Sequence, residues 1–212
     1  MQLHLYADPV TAQAEGLRDR KKRLTRDALS RAAVDLVVRH GLDHVTVEDI
    51  SAAADVSPRT FFNYFATKEE AVVGPDPEAG PRIRARVLAQ PVELSPAAAV
   101  REALLAEIAA ELAVDRGFWL RRMRVVQQHP VLLAKVLAGG EAFEREVVAA
   151  VAERTGLPEN GTYPLLLGAA TGAAFRVAVA RWSCFDEPTP LHEVFAEAMD
   201  LLAAGLADPP QS

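Results

Sequence analysis

The sequence predicts an all-α protein with a short helical hairpin near its start and a longer set of amphipathic helices after it. Apolar residues recur at three- and four-residue spacing along most of the chain, and no segment alternates as a strand does. Ser and Thr residues that favour helix starts punctuate residues 46–68. Residues 74–81 hold three prolines and two glycines and separate the two parts.

The composition limits the class of protein. The chain has 212 residues and is 50% hydrophobic, which suffices for a buried core in one large or two small domains. No run approaches the ~18 apolar residues of a membrane span, and the first residues lack a signal pattern, so we expect a cytoplasmic protein. One cysteine excludes an internal disulfide, and five scattered histidines lack metal-ligand spacing. We therefore expect no metal and no cofactor.

The charge is distributed unevenly. The net charge is -6, yet residues 16–68 carry ten Lys and Arg against seven Asp and Glu. The basic residues gather where the first helix begins, namely Arg18, Arg20, Lys21, Lys22, Arg23 and Arg26. They either follow a nucleic-acid backbone or enter a minor groove, or they form a solvated tail. Residues 1–15 show no sustained period and are predicted to be a disordered tail.

The hairpin is predicted from its helix caps. A supporting helix over residues 24–40 ends at Gly41, where glycine commonly terminates a helix. Thr46 caps the next helix, with Asp49 three residues on. Ser57 is a good N-cap for a further helix, and Pro58 suits its first position because the missing N–H costs nothing there.

The second hairpin helix is suited to reading DNA. Phe61 and Phe65 lie four apart and point inward, which leaves polar and planar side chains on the other faces. Thr67 starts a third helix and places Lys68 near its positive end, where a phosphate fits. The predicted DNA-binding residues are Thr46, Ser57, Pro58, Arg59, Thr60, Asn63, Tyr64 and Lys68. The alternative is an ordinary hairpin in which Phe61, Phe62 and Phe65 only fill a core.

The run T-V-E-D-I-S-A-A-A-D-V-S-P-R-T-F-F-N-Y-F-A-T-K-E-E resembles the N-terminal domain of TetR-type transcriptional regulators, over roughly Lys22 to Val73. The resemblance implies a helix-turn-helix domain over residues 16–73 and a helical effector-binding and dimerisation domain over 82–212. It implies that Thr46, Tyr64 and Lys68 anchor the DNA backbone and that the start of the second hairpin helix reads bases. It further implies a repressor. In the family the third hairpin helix usually continues as a rigid connector, so the break at 74–81 is a departure.

A homodimer is expected because one short helix covers only a few base pairs. Two copies read half-sites of a palindromic operator roughly 34–36 Å apart. Small residues over 163–185, including Gly168 and Gly172, permit a close helix contact, and Phe195 and Leu202 lie on the stripe of a last amphipathic helix. These four residues are the predicted dimer interface. Packing of the two helices within one chain is the alternative.

The predicted effector site combines aromatic and basic residues. An apolar cavity is expected to be lined by Phe118, Trp119, Met123, Phe143 and Phe175, with Arg176 receiving a carboxylate or phosphate; plain core packing and a solvated arginine are the alternatives. The blocks F-F-N-Y-F and K-E-E-A-V-V-G-P-D-P are also similar to a subgroup of TetR proteins related to mycofactocin-type regulators. Some of these respond to acyl-CoA thioesters, which implies a lipophilic or acyl-CoA-like small-molecule effector.

An enzyme is the contrasting class. The sequence contains no G-x-S-x-G turn, no phosphate loop and no paired metal-ligand residues. We therefore expect a ligand-responsive regulator of transcription and no catalytic residues. The alternatives are a helical ligand- or protein-binding module without sequence-specific DNA binding, or an unrecognised enzyme.

Overall fold

The computed structural model describes residues 17–183 and 190–206, and the disordered tail expected over residues 1–15 lies outside them. In the described residues the secondary structure is helical and contains no strand, as predicted. The α-helices are α1 Leu17–His40, α2 Val47–Ala53, α3 Pro58–Phe62, α4 Lys68–Val73, α5 Ala79–Leu88, α6 Pro96–Gln128, α7 Pro130–Thr155, α8 Thr162–Ser183 and α9 Leu191–Ala203, with a 3₁₀ turn at Leu42–His44.

The caps predicted for the hairpin are present. Thr46 and Asp49 form a reciprocal capping box at α2, and the Ser57 hydroxyl accepts the Thr60 N–H at α3. At α4 the Thr67 hydroxyl accepts the Glu70 N–H, but the Glu70 carboxylate accepts from the Ala66 N–H. The Glu70 side chain therefore bonds the backbone of the residue that precedes the N-cap Thr67.

The break at residues 74–81 is shorter than expected. Gly74 ends α4 in the left-handed conformation (φ 62°), and α5 begins at Ala79, three residues before the expected Arg82. Pro81 lies in the first turn of α5, where its missing N–H breaks no helical hydrogen bond. The connection between α4 and α5 is thus a short loop.

Two helices are long and run through a potential break. Helix α6 is kinked where Asp115 leaves helical geometry (φ -160°, ψ 84°). The Asp115 carboxylate accepts the Phe118 N–H at 2.9 Å and so caps the second half of α6. Helix α7 continues through Gly139 and Gly140, because these glycines weaken a helix without ending it.

The buried apolar residues form two cores. The hairpin core contains residues of α1–α4 together with Phe118, Val125, Val126 and Leu132 of α6 and α7. The bundle core joins α5–α9 and contains Ile83, Val87, Ala99, Val100, Ala103, Leu104, Val147, Ala150, Val151, Ala174, Ala178, Val179, Leu191, Val194, Phe195 and Met199. Because α6 and α7 contribute to both cores, the two parts of the chain share packed helices.

Helix α8 is long and rich in apolar residues. Within the described residues, its segment Thr162–Arg181 is the one helix whose length and composition would allow a membrane span. A core helix of a folded bundle has the same properties, and α8 packs between α7 and α9. This packing accounts for part of the apolar composition of α8, and other apolar side chains of the helix remain exposed.

Replacing Gly74 is predicted to destabilise the contact between the end of α4 and α6. A Cβ at Gly74 would lie 2.6 Å from the Ser30 Oγ and 2.9 Å from the Arg122 Nη2, in addition to the left-handed φ. Gly156 also has positive φ (69°) but nothing within 4 Å, so it is the matched control. In urea unfolding we expect Gly156→Ala to cost about 1 kcal/mol and Gly74→Ala about 2–4 kcal/mol. Equal losses would show that the contact with Arg122 is unimportant.

Candidate nucleic-acid interface and effector site

Helix α3 is anchored by two aromatic side chains and presents its other faces to solvent. Phe61 and Phe65 are 0% and 1% exposed and their rings lie 5.9 Å apart. Arg59 and Asn63 are exposed, as is Phe62, which is 58% accessible and whose ring meets Phe61 edge-on. The expectation that Phe61 and Phe65 point inward is confirmed. The alternative in which Phe62 fills a core is wrong, because position 62 falls outside the i, i+4 pair.

Hydroxyl groups lie at the N-termini of both hairpin helices. Thr46 is exposed and donates to the Asp49 carboxylate at 2.6 Å, and this hydrogen bond is the main cause that lowers the pKa of Asp49. Ser57 and Thr60 share a hydroxyl–hydroxyl hydrogen bond of 2.9 Å at the start of α3. Pro58 is exposed in the first turn. The predicted residues of α3 and its cap therefore form one accessible surface.

The ammonium group of Lys68 forms hydrogen bonds within the chain. Its Nζ donates to the backbone carbonyls of Leu42 (2.8 Å) and Val45 (2.9 Å). An ammonium group has three donors, so one remains for a further acceptor such as a phosphate. Lys68 thus ties the N-terminus of α4 to the loop that precedes Thr46, a tether that sequence patterns alone did not indicate.

The end of α3 is held by α1. Tyr64 is half-buried against the hairpin core, and its carbonyl accepts from Arg26 Nη1 at 3.1 Å. The Arg26 guanidinium lies 4.5 Å from the Phe65 ring centroid and also donates to the Pro75 carbonyl. Arg26 therefore joins α1 to α3 and to the loop after α4.

The predicted effector residues separate into two groups. Trp119, Met123, Phe143 and Phe175 are half-buried against the bundle core, and the rings of Phe143 and Phe175 stack with centroids 6.2 Å apart. Arg176 is exposed. Phe118 differs, because it is 7% exposed and belongs to the hairpin core. The guanidinium groups of Arg31 and Arg122 lie 4.5 and 4.6 Å from its ring.

A cavity of about 370 Å³ lies between α1, the α4–α5 loop and α6, and we call it the junction cavity. Both Phe118 and Trp119 line it. Arg122 reaches across it and donates to the Ser30 Oγ at 3.0 Å, and Ser30 in turn donates to the Ala71 carbonyl at 2.8 Å. Burial lowers the pKa of Arg122, whose Nε has no hydrogen-bond partner. The chain of bonds links α6 to α1 and α4.

Acidic and basic side chains both line the same cavity. The buried carboxylate of Glu107 in α6 forms salt bridges with Arg82 (2.6 Å) and Arg86 (2.9 Å). Arg82 also forms a salt bridge with Asp76 of the α4–α5 loop. Glu111 lies at the accessible mouth of the cavity, where desolvation by the surrounding protein raises its pKa and the charge of Glu107 raises it further. These ion pairs fix the α4–α5 loop to α6.

Most residues of the predicted dimer interface pack against other helices of the same chain. A Cβ on Gly168 would lie 2.5 Å from Val148 Cγ2 of α7, and Gly172 is close to Glu144 of the same helix. Phe195 is 0% exposed in the bundle core, and Leu202 is half-buried against it. The close contact that the two glycines permit is thus between α8 and α7. Exposed apolar side chains of α8 and α9 lie elsewhere, at Tyr163, Leu165, Leu166, Val177 and Leu201.

No group of three or more His, Cys, Asp or Glu side chains suited to a metal ion occurs among residues 17–183 and 190–206. The described part of the chain instead combines a capped hairpin that exposes a short helix with a helical bundle packed on it. This is the architecture of a helix-turn-helix transcriptional regulator.

The comparisons with known proteins define the family. Residues 29–72 match the profile of the bacterial regulatory proteins of the tetR family, and residues 94–207 match that of the MftR C-terminal domain. The chain is 35% identical to the HTH-type transcriptional regulator TcmR of Streptomyces glaucescens over 178 residues, which cover 81% of this chain and 79% of TcmR. It belongs to the TetR family of transcriptional regulators, whose members are DNA-binding proteins and not enzymes.

Further relatives agree with this assignment. A Mycobacterium tuberculosis protein named as a mycofactocin biosynthesis transcriptional regulator, MftR, is 28% identical over 196 residues, covering 88% of this chain and 93% of MftR. The fold is similar to that of the SmeT–triclosan complex (TM-score 0.59, 20% identity, 89% and 96% of the chains). It is also similar to Thermus thermophilus FadR, a TetR-family repressor, in complex with lauroyl-CoA (TM-score 0.51, 22% identity, 88% and 98%).

Lys68 is predicted to stabilise the hairpin independently of DNA. Lys68→Met keeps the apolar stem but leaves the carbonyls of Leu42 and Val45 without their charged donor. In urea unfolding we expect a loss of about 2 kcal/mol, since hydrogen bonds to charged groups contribute about 1.5–3 kcal/mol. The control is Lys135→Met on the exposed side of α7, which should change stability by less than about 0.5 kcal/mol. A Lys68→Met protein as stable as the control would contradict the tether.

Proposed function

We propose that this protein is a cytoplasmic, ligand-responsive repressor that binds a palindromic operator as a homodimer and is released by a small lipophilic or acyl-CoA-like effector. The observation that carries the proposal is the exposure of Arg59, Phe62 and Asn63 on a short helix whose other face is fixed by Phe61 and Phe65. A helix of this kind presents a planar cation, an apolar ring and an amide to base edges in a major groove.

Each exposed group has a role in the proposed complex. Arg59 reads a base, Asn63 contacts a base edge or phosphate, and Phe62 packs on an apolar base edge such as a thymine methyl group. Thr46, Ser57, Thr60 and Tyr64 contact backbone phosphates, and Pro58 lets α3 approach closely at its first turn. Lys68 places its third donor toward a phosphate while it holds the loop before Thr46.

The homodimer is proposed on the exposed apolar face of α8 and α9. Leu166, Ala169 and Val177 lie on one side of α8, and Leu201 is exposed on α9. Leu202 lies at the edge of this face. A second copy that covers these side chains would complete a four-helix bundle and set two α3 helices at one operator.

The effector is proposed to bind a half-buried cluster of three aromatic side chains and one methionine. We call it the ring cluster, and it consists of Trp119, Met123, Phe143 and Phe175. Trp119 lines the junction cavity and also packs against the bundle core, so a ligand there adjoins the Arg122 contact with Ser30. Arg176 follows Phe175 and is exposed, whereas Phe118 precedes Trp119 and lies in the hairpin core. The bound lauroyl-CoA of the Thermus thermophilus relative supports a thioester with a long apolar chain as the first candidate.

Arg59 is predicted to determine sequence preference. In fluorescence-anisotropy titrations on a site selected from random DNA, Arg59→Ala should lose about 1–3 kcal/mol at one base pair and thereby relax specificity. Tyr64→Phe removes one phosphate donor and should weaken selected and scrambled DNA equally. Equal losses on both DNAs for Arg59→Ala would contradict its base-reading role.

The ring cluster is predicted to bind the effector. Calorimetric titration with saturated acyl-CoAs of increasing chain length should give an affinity that rises with length, because each buried CH₂ contributes about 0.8 kcal/mol. Phe175→Ala should weaken this binding at least tenfold, whereas Tyr163→Ala, at an exposed ring of the same helix, should leave it unchanged. Absence of heat at every chain length would exclude an acyl-CoA effector but not DNA binding.

A further inference from the structure

The junction cavity lies outside the ring cluster in which the effector is proposed to bind. Its walls come from α1, the α4–α5 loop and α6, and Trp119 is the one member of the ring cluster that lines it. Its volume of about 370 Å³ falls within the roughly 300–1,000 Å³ of pockets that bind small molecules. Apolar side chains of α6 form part of the wall, namely Ala110, Val114 and Phe118. The cavity is therefore large enough for a small molecule with an apolar body.

Most charged side chains of the cavity already have partners within the chain. Salt bridges join three of its carboxylates to three of its arginines, which are Asp76, Glu107, Asp115, Arg31, Arg82 and Arg86. Arg26 donates to the carbonyls of Tyr64 and Pro75. These groups brace the junction and are not free to bind a further molecule.

The guanidinium group of Arg122 is different, because it has no anionic hydrogen-bond partner. Its Nη2 donates to the neutral Ser30 hydroxyl, and it forms no other hydrogen bond and no ion pair within residues 17–183 and 190–206. The Nε–H is buried, whereas Nη1 is accessible. Burial lowers the pKa of Arg122, and the more distant charges of Glu111 and Asp27 oppose this effect. Charge-assisted hydrogen bonds to a carboxylate or phosphate are the strongest that a guanidinium group forms.

Two carboxylates of the cavity are also without a hydrogen bond. In the described part of the chain, neither Asp27 nor Glu111 accepts a hydrogen bond or forms an ion pair, and both are exposed. They oppose the entry of an anion but do not occupy Arg122. The lining as a whole contains six arginines and five carboxylates, which leaves an excess of one positive charge. This excess favours an anion over a cation as the ligand.

We propose that the junction cavity is a second ligand site, which takes a small molecule with a carboxylate or phosphate group on an apolar body. The anionic group accepts from Arg122 Nη1, and the apolar body packs against Val114 and Trp119 of α6. Glu111 repels the anion from the mouth of the cavity and so limits its affinity. The anion belongs either to a separate molecule or to the polar end of an effector held in the ring cluster, since Trp119 lines both sites.

The test is calorimetric titration of the full-length protein without DNA. Phenyl phosphate is the anionic probe, and benzyl alcohol and benzylamine are its neutral and cationic counterparts. Phenyl phosphate should bind most tightly, and Arg122→Met should weaken its binding by about tenfold or more. Glu111→Gln should tighten it by about threefold or more, because one repulsive charge is removed. Arg124→Met and Glu141→Gln, at exposed positions of α6 and α7, are the matched controls and should leave the affinity unchanged. Circular dichroism melts check that each variant is folded.

The outcomes decide the proposal without reference to operator binding. Weaker binding in Arg122→Met together with tighter binding in Glu111→Gln supports the site. Absence of phenyl phosphate binding, tighter binding of benzylamine, or an affinity that neither variant changes overturns it. If Arg122→Met does not fold, the comparison of Glu111→Gln with Glu141→Gln decides alone, and equal affinities overturn the site.

Competition with lauroyl-CoA then identifies the source of the anion. Displacement of phenyl phosphate by lauroyl-CoA supports a site that takes the polar end of the effector. Undiminished phenyl phosphate binding in the presence of lauroyl-CoA supports a site for a separate molecule. Loss of operator binding or of acyl-CoA binding would contradict the proposed function and leave the anion site standing.

Discussion

The arrangement of this protein depends on one buried guanidinium group. Arg122 extends from α6 into the junction cavity, donates to Ser30 of α1, and lies against Gly74 at the end of α4. The Ser30 hydroxyl in turn donates a hydrogen bond to the Ala71 carbonyl of α4. Placing a charge away from water costs free energy unless its donors find acceptors, so this contact strongly favours one relative position of α6 and the hairpin. A shift of α6 that withdrew Arg122 would leave both the cation and Ser30 with fewer partners.

The ion pairs around Glu107 explain how a proline-rich break can still connect the two parts of the chain. A continuous connector helix transmits motion through its own backbone hydrogen bonds. Here Asp76 in the loop pairs with Arg82 of α5, and Arg82 and Arg86 both reach the buried Glu107 of α6. A half-buried group of charges holds the loop, since removal of one partner leaves another desolvated and unpaired. These ion pairs hold the short loop against α5 and α6.

Local features of the fold could be predicted from the sequence, and long-range contacts could not. Thr46, Ser57 and Pro58 act within one helical turn, so their capping roles follow from spacing alone. The inward pair Phe61 and Phe65 follows equally from the period of a helix. The contacts that place Phe118 in the hairpin core join residues that are far apart in the chain. Helical periodicity does not predict such contacts.

The same distinction applies to the sites. The tether from Lys68 to two carbonyls, the exposure of Phe62 and the packing of Gly168 on Val148 each depend on which surface a neighbouring element covers. A glycine pattern that permits close approach does not say whether the approaching helix belongs to the same chain. For α8 the helix is α7, and the exposed apolar face lies on the other side.

Because Arg122 joins α6 to Ser30 of α1, we expect the DNA-reading hairpin and α6 to respond as one unit. Amide hydrogen exchange, compared between the free protein and its complex with selected operator DNA, tests this most directly. Slower exchange in the complex is expected both in α2–α3 and in α6 around residues 118–123, where no contact with DNA is proposed. Protection confined to α2–α3, with exchange at the junction unchanged, would contradict it.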